Sequence, residues 1–168
     1  SGWTALSESD VEIVSGTGAA GGNKSLKMLG GTAKVVRIMQ NLDVSKLGRH
    51  KCFALSGWGK ADSLPVDREN VLSASPADQT PTFALLATVT YSDGKAEYFR
   101  ANFNHFDKNW QFAAVPVLLD PAKTVKSIAI SAEYCYNKTN AFFTGLRFAK
   151  DDVAFTQTKA NKTLQRTV

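Results

Sequence analysis

The chain has 168 residues, 43% of them hydrophobic, which is enough to form one domain with a sizeable core. Its 20 Lys and Arg against 15 Asp and Glu give a formal net charge of +5, but no run of four or more basic residues occurs. Scattered positive charge favours a solvated surface over an anion-binding patch and argues against a nucleic-acid partner. The sequence also lacks an apolar stretch of about 18 residues, which argues against membrane insertion.

Apolar residues alternate with a period of two along most of the chain, a pattern typical of β-strands. We predict about nine strands, at residues 11–15, 25–29, 34–41, 51–61, 83–91, 97–104, 110–119, 125–136 and 141–148. The only helical prediction is a single turn at Val44–Leu47. Short strands separated by turn residues indicate an all-β chain folded as an antiparallel two-sheet sandwich.

The alternation also predicts which side chains face the core. One side of strand 83–91 carries Phe83, Leu85, Ala87, Val89 and Tyr91. One side of strand 125–136 carries Ile128, Ile130, Ala132, Tyr134 and Tyr136. In strand 51–61, Phe53 and Leu55 are expected in the core, which places Trp58 on the opposite side. Trp58 is therefore either part of an exposed contact surface or covered by a loop.

Turns and composition predict the domain limits. Ser92-Asp93-Gly94-Lys95 is the clearest turn, since Asp-Gly supplies the positive φ angles of a tight hairpin. Residues 67–81 form one long connection, read as a surface loop with room for a short helix. The strand pattern decays from Asp151, so we expect a domain at 1–150 and a tail or linker at 151–168.

Cys52 and Cys135 are the only cysteines, far apart in sequence, with no Cys-x-x-Cys or Cys/His cluster. This spacing argues against a structural zinc site. The two residues are either buried thiols or a single disulfide, and the sequence leaves both readings open.

Catalytic chemistry has little support in the sequence. Only His50 and His105 are present, and neither a Gly-x-Ser-x-Gly elbow nor a phosphate-binding glycine loop occurs. Glycoside hydrolysis needs two carboxylates about 5 to 10 Å apart. Glu97 and Glu133 lie on predicted strands, but a solvated strand face is the expectation for both. The chain is therefore predicted not to be an enzyme.

Aromatic residues concentrate in the middle and C-terminal strands. Flat aromatic rings can stack on sugar rings while amides and carboxylates hold the hydroxyls, although core packing explains most aromatic residues. Six residues are predicted to bind a ligand: Trp58, Tyr98, Asn102, Asn104, Gln111 and Glu133.

Several segments together resemble a known family. Gly22-Asn23-Lys24-Ser25-Leu26-Lys27-Met28 and the stretch from Phe53 to Pro65 are similar to motifs of family 4/9-type carbohydrate-binding jelly rolls. Residues 91–94, 109–111, 125–128 and 141–148 look like the branch found beside YD (RHS) repeats in bacterial wall-associated proteins.

The resemblance implies a galactose-binding-like jelly roll that acts as a non-catalytic module of a secreted or cell-surface bacterial protein. Its partner would be a glycan or cell-wall polysaccharide. The alternative is a structural or adhesive spacer with no small-molecule ligand. A monomeric module of a larger chain is expected, with residues 151–168 leading to further repeats. The first residues, Ser1-Gly2-Trp3, lack the charged and apolar regions of a signal peptide, which is expected both of a mature or excised fragment and of a cytosolic protein.

The family also carries a structural calcium ion, which an Asp on the last strand usually ligates. Thr144 stands at that position here. Calcium needs six to eight oxygen ligands with carboxylates among them. We therefore expect no metal or other cofactor, with the family calcium as the alternative.

Overall fold

The computed structural model describes residues 2–16, 18–19, 22–65 and 79–150. Within these ranges the chain forms ten β-strands and two short 3₁₀ turns, at Glu8–Asp10 and Val44–Leu47. The strands are β1 Trp3–Ala5, β2 Val11–Ser15, β3 Lys24–Met28, β4 Val35–Leu42, β5 Cys52–Ala61, β6 Thr82–Tyr91, β7 Ala96–Asn102, β8 Gln111–Leu118, β9 Val125–Cys135 and β10 Ala141–Lys150.

The strands form two five-stranded sheets. Sheet A has the order β1-β4-β9-β6-β7, and sheet B has the order β2-β3-β10-β5-β8. Every pairing is antiparallel. The predicted all-β, two-sheet jelly-roll sandwich is confirmed. The structure adds β1 to the predicted set, because a three-residue strand is too short to display a period in sequence.

The core lies between the sheets and is centred on Phe83 of β6. Its ring centroid is 4.7 Å from that of Phe103 and 5.2 Å from that of Tyr134. Across the sandwich it is 5.6 Å from the ring of Phe143 on β10. Fully burying an aromatic or large aliphatic side chain contributes about 1.5–3 kcal/mol, so these contacts hold the two sheets together.

The predicted inward faces are confirmed for β6 and β5, where Phe53, Leu55 and the odd positions from Phe83 to Tyr91 are buried. The prediction for β9 holds from Ile128 to Tyr134 but not for Tyr136. β9 ends at Cys135, and Tyr136 has a φ of 57°, so the chain turns away at this point. A left-handed residue breaks the alternation on which the prediction depended.

The predicted turn between β6 and β7 is present, with a different geometry from the one expected. Tyr91 O accepts from Gly94 N at 3.0 Å, and Tyr91 N donates to Lys95 O at 2.9 Å. Gly94 has a φ of 81°, whereas Asp93 is not left-handed. Asp93 instead accepts a hydrogen bond from Lys95 N through Oδ1 at 2.9 Å. This is a three-residue hairpin loop in which glycine alone supplies the positive φ.

Two predictions concern segments that lie mostly or wholly outside the described residues. Most of the long connection predicted at 67–81 and the whole tail at 151–168 lie outside them. Cys52 and Cys135 are both free thiols, on the outward sides of sheet B and sheet A respectively. The described part of the chain contains no helix with the length and apolarity needed to cross a bilayer.

Candidate functional site

The outward surface of sheet A brings together three of the predicted ligand residues. Tyr98 and Asn102 lie on β7, and Glu133 lies on β9. Asn102 is opposite Ala84, Ala84 is opposite Glu133, and Glu133 is opposite Arg37. With strands about 4.8 Å apart, this row crosses four strands over about 14 Å.

We call this surface the sheet A face and define it by its central outward-pointing residues. They are Arg37, Met39, Ala84, Leu86, Tyr98, Arg100, Asn102, Ser131 and Glu133. Those on the central strands β6 and β9 are buried, whereas those on the flanking strands β4 and β7 are exposed. Short side chains such as Ala84 and Ser131 therefore form a floor between two rims of long side chains.

Glu133 is the central charged group of the floor. Its Oε1 is 2.8 Å from Arg37 Nε, and its Oε2 is 3.5 Å from Arg100 Nη2. Ser131 Oγ donates to Oε1 at 3.4 Å. The residue is only 1% exposed, so the expectation of a solvated strand face was wrong. A buried carboxylate persists when charged partners compensate for its lost hydration, and two arginines do so here.

Sequence reasoning missed Arg37 and Arg100. Arg37 is the one charged residue in an apolar stretch made of Val35, Val36, Ile38 and Met39. A single charge in such a stretch was the sequence feature that could have marked Arg37 as functional. Its partnership with Glu133 joins residues 96 positions apart, which only strand pairing can show. Arg100 reaches the same carboxylate from the other side of the floor.

Tyr98 provides the aromatic surface of the sheet A face. Its side chain is 70% exposed although it lies in the middle of β7. It shares the outward side of β7 with Arg100 and Asn102, since alternate residues of a strand point the same way. An exposed ring beside charged and amide groups can stack on a sugar ring while its neighbours hold the hydroxyls.

Trp58 lies on the outward side of sheet B, so it does not share a site with Tyr98. Its ring centroid is 5.3 Å from that of Phe112, directly opposite on β8, and the two rings are tilted by 58°. Nearby on sheet B, Lys60 Nζ lies 5.8 Å from the Trp110 ring and 5.6 Å from the Phe142 ring. Trp58 is half-buried, a result between the two alternatives that the sequence left open.

Asn104 and Gln111 brace the connection between β7 and β8. Gln111 Oε1 accepts from Asn104 N at 2.7 Å, and its Nε2 donates to Asn104 O at 3.0 Å and to Asp107 O at 3.1 Å. Asn104 Oδ1 accepts from Phe106 N at 2.9 Å. The amide of Gln111 is thus occupied within the loop, and its role in this structure is to hold the loop.

The two strand glutamates do not form a catalytic pair. Glu97 lies opposite Val89, whose side chain is in the core, and accepts a hydrogen bond from Tyr91 Oη at 2.7 Å. Glu133 points to the other side of the sheet. Carboxylates on opposite faces of one sheet cannot flank one scissile bond.

The described residues do not fit the calcium site that the resemblance implied. Thr144 Oγ1 donates to Lys24 O at 2.9 Å, so its hydroxyl binds the neighbouring strand. Within the described ranges, no group of three His, Cys, Asp or Glu side chains is placed to hold a metal ion. Calcium requires carboxylates among its oxygens, and these residues do not supply them.

Comparison with solved structures shows which known folds this chain resembles. A family 16 carbohydrate-binding module superposes with a TM-score of 0.60 at 15% identity, over 83% of this chain and 85% of that one. The CBM22-1 xylan-binding domain of Paenibacillus barcinonensis Xyn10C gives 0.55 at 18% identity, over 88% and 85%. The chain has the jelly-roll fold of carbohydrate-binding modules.

A third module shows the same likeness. The C-terminal family 22 carbohydrate-binding module of Clostridium thermocellum Xyn10B gives a TM-score of 0.55 at 17% identity, over 90% of this chain and 87% of that one. No protein-family model and no curated protein sequence matches the chain. At these identities the likeness shows the fold alone.

Proposed function

We propose that this chain is a carbohydrate-binding module that holds a glycan across the sheet A face. Tyr98 would stack on one sugar ring, and Asn102, Arg100 and Arg37 would hold hydroxyl or acidic groups of the neighbouring sugars, while Glu133 would orient the two arginines. The observation that carries this proposal is a 70% exposed tyrosine on the same face as a buried, doubly paired glutamate.

The likeness to carbohydrate-binding modules supports the same class of ligand, since those neighbours are a family 16 carbohydrate-binding module and a xylan-binding domain. The physical support is independent of that likeness. An exposed aromatic ring costs free energy in water and contributes when a ligand covers it. A rigid sheet with fixed side chains also reduces the entropy that binding must overcome.

The wider setting is part of the proposal. We place the module in a secreted or cell-wall-associated bacterial protein, of the family 4/9-type branch beside YD repeats, as a monomeric unit with residues 151–168 leading to the next part. Its ligand would then be a cell-wall or environmental polysaccharide. The same setting admits the alternative of a spacer without a ligand.

Direct binding to a panel of polysaccharides tests the proposal. Affinity gel electrophoresis against xylan, mannan, β-glucan, galactan, polygalacturonate and peptidoglycan fragments should show retardation by at least one, followed by calorimetry with its oligosaccharides. Retardation by none of these, with the protein shown to be folded by its near-ultraviolet circular dichroism, would remove the glycan-binding function and leave the spacer.

A further inference from the structure

We infer that the glycan held by the sheet A face is anionic, carrying carboxylate or sulfate groups that bind between Arg37 and Arg100. This inference rests on the proposed function and names the chemical class of its ligand. It also modifies the interpretation of the sequence, where scattered basic residues favoured a solvated surface over an anion-binding patch.

The charge of the sheet A face is the first observation. Two guanidinium groups share the single carboxylate of Glu133, which leaves one positive charge in excess among the residues that define this face. Both arginine side chains are nearly half exposed, at 44% and 45%, so the excess charge faces solvent. An anion that approaches this face would therefore contact the exposed guanidinium groups of Arg37 and Arg100.

The hydrogen-bonding capacity of the face is the second observation. Arg37 contacts Glu133 through Nε, and among the described residues its two terminal nitrogens have no other partner. Arg100 makes only a 3.5 Å contact through Nη2. Each guanidinium carries five N–H donors and no acceptor, so most of these donors remain unused. A planar arginine fork matches the oxygens of a carboxylate or sulfate.

The balance of donors and acceptors separates an acidic glycan from a neutral one. The hydroxyls of a neutral sugar both donate and accept, and a site that holds them needs acceptors as well as donors. Both oxygens of Glu133 are already engaged by arginines, and Oε1 also accepts from Ser131. Tyr98 and Asn102 add one hydroxyl and one amide oxygen as acceptors. The guanidinium donors of Arg37 and Arg100 outnumber these acceptors, which suits an anionic group.

The position of the excess charge relative to the aromatic ring is the third observation. Arg100 follows Tyr98 by two residues on the same side of β7, a separation of about 7 Å along the strand. A sugar stacked on Tyr98 would thus place its own or its neighbour's acidic group beside Arg100.

Matched pairs of polysaccharides test this inference. Polygalacturonate is compared with its carboxyl-reduced form, glucuronoxylan with its carboxyl-reduced form, and dextran sulfate with dextran, each at low and high salt. We expect the acidic member of at least one pair to bind at least about tenfold more tightly, with affinity falling as salt rises.

Two charge variants provide the matched comparison. Arg100→Gln removes the weaker partner of Glu133 and leaves its 2.8 Å contact with Arg37, so the fold should persist. Arg147→Gln makes the same change of charge at an exposed position on β10 of sheet B. We expect Arg100→Gln to reduce the affinity for the acidic glycan about tenfold and Arg147→Gln to leave it unchanged.

The outcomes separate this inference from the proposed function. Equal binding of the acidic and reduced members of every bound pair would overturn the anionic class while keeping the glycan-binding module. Binding that both variants weaken equally would show non-specific attraction to net charge and would also overturn it. No binding to any polysaccharide of either panel would overturn the proposed function itself. Preference for dextran sulfate over the uronates would identify the group as sulfate.

Discussion

Arg37 and Glu133 face each other across the β4–β9 ladder, joined by a 2.8 Å contact between Nε and Oε1 on the outer side of sheet A. The carboxylate is almost fully buried, whereas the guanidinium is nearly half exposed. The pair therefore connects a buried carboxylate to a guanidinium group that faces solvent. It fixes the direction of an arginine that would otherwise be free to move in solvent.

Removing the arginine of this pair should destabilise the fold. Arg37→Met leaves Glu133 buried with Arg100, at 3.5 Å, as its one charged partner among the described residues, and we expect a loss of about 3 kcal/mol in the free energy of unfolding. The double variant Arg37→Met/Glu133→Met removes the orphaned charge and should recover most of that loss. Urea unfolding followed by tryptophan fluorescence measures all of these values.

A surface ion pair serves as the control for that measurement. Lys27 Nζ and Glu12 Oε1 are 2.7 Å apart between β3 and β2, in a solvent-exposed setting. Lys27→Met should change the stability far less than Arg37→Met, because water compensates for a lost surface partner. Similar losses of unfolding free energy in the two variants would show that burial of Glu133 does not increase the cost of removing its partner.

Tyr98 should matter for binding and not for folding. Because its ring is 70% exposed, Tyr98→Ala removes little buried surface and should leave the unfolding midpoint nearly unchanged. We expect it to weaken binding of the retarding polysaccharide by about tenfold or more, as measured by calorimetry.

Phe112→Ala is the matched control for Tyr98→Ala, since Phe112 is 58% exposed on the opposite sheet beside Trp58. It should leave glycan affinity unchanged. The reverse result, with binding lost in Phe112→Ala or Trp58→Ala and kept in Tyr98→Ala, would move the site to sheet B.

His105 should make the stability depend on pH. Its Nε2 is buried without a hydrogen-bond partner, and its ring lies edge-on to Phe83 at 6.1 Å. Burial lowers the pKa of His105 below its usual value of 6.5. The unfolded chain therefore binds this proton at a higher pH than the folded chain does. Its contribution to stability is full above about pH 6.5 and declines as the pH falls towards the lower folded pKa.

Thermal unfolding between pH 5 and pH 8 measures that decline. The variant His105→Phe keeps an aromatic ring against Phe83 and should flatten the pH dependence in this range. An unchanged slope in His105→Phe would assign the pH dependence to other groups.

The two cysteines should react at very different rates in the native protein. Cys135 is 3% exposed, and burial raises the pKa of its thiol, so both access and thiolate formation are unfavourable. Cys52 is half-buried and is the first residue of β5. A thiol reagent such as DTNB should modify one thiol quickly and the second only after unfolding.

Cys52→Ser should abolish the fast phase of that reaction, and Cys135→Ser should keep it. A mass that rises by two on reduction would instead show a disulfide, which the placement of the two cysteines on outward sides of different sheets opposes. Stacked sheets are about 10 Å apart, and a disulfide requires Cα atoms within about 7 Å.

The sequence determined the fold class and most of the strand faces, because a period of two reflects a local property of the extended chain. For this reason the sequence predicted the inward positions of β6. The Asp-Gly pair, which is also a local feature, predicted the hairpin. The short β1 and the end of β9 at Cys135 were not predicted, because neither has a local pattern that marks it.

Tertiary structure decided which residues share a face. Trp58 and Tyr98 were grouped from their chemistry, but sheet order places them on opposite sides of the sandwich. Glu133 resembled a solvated strand residue until β4 and β7 brought Arg37 and Arg100 to it. Strand pairing joins residues far apart in the chain, and no local pattern encodes which strands become neighbours.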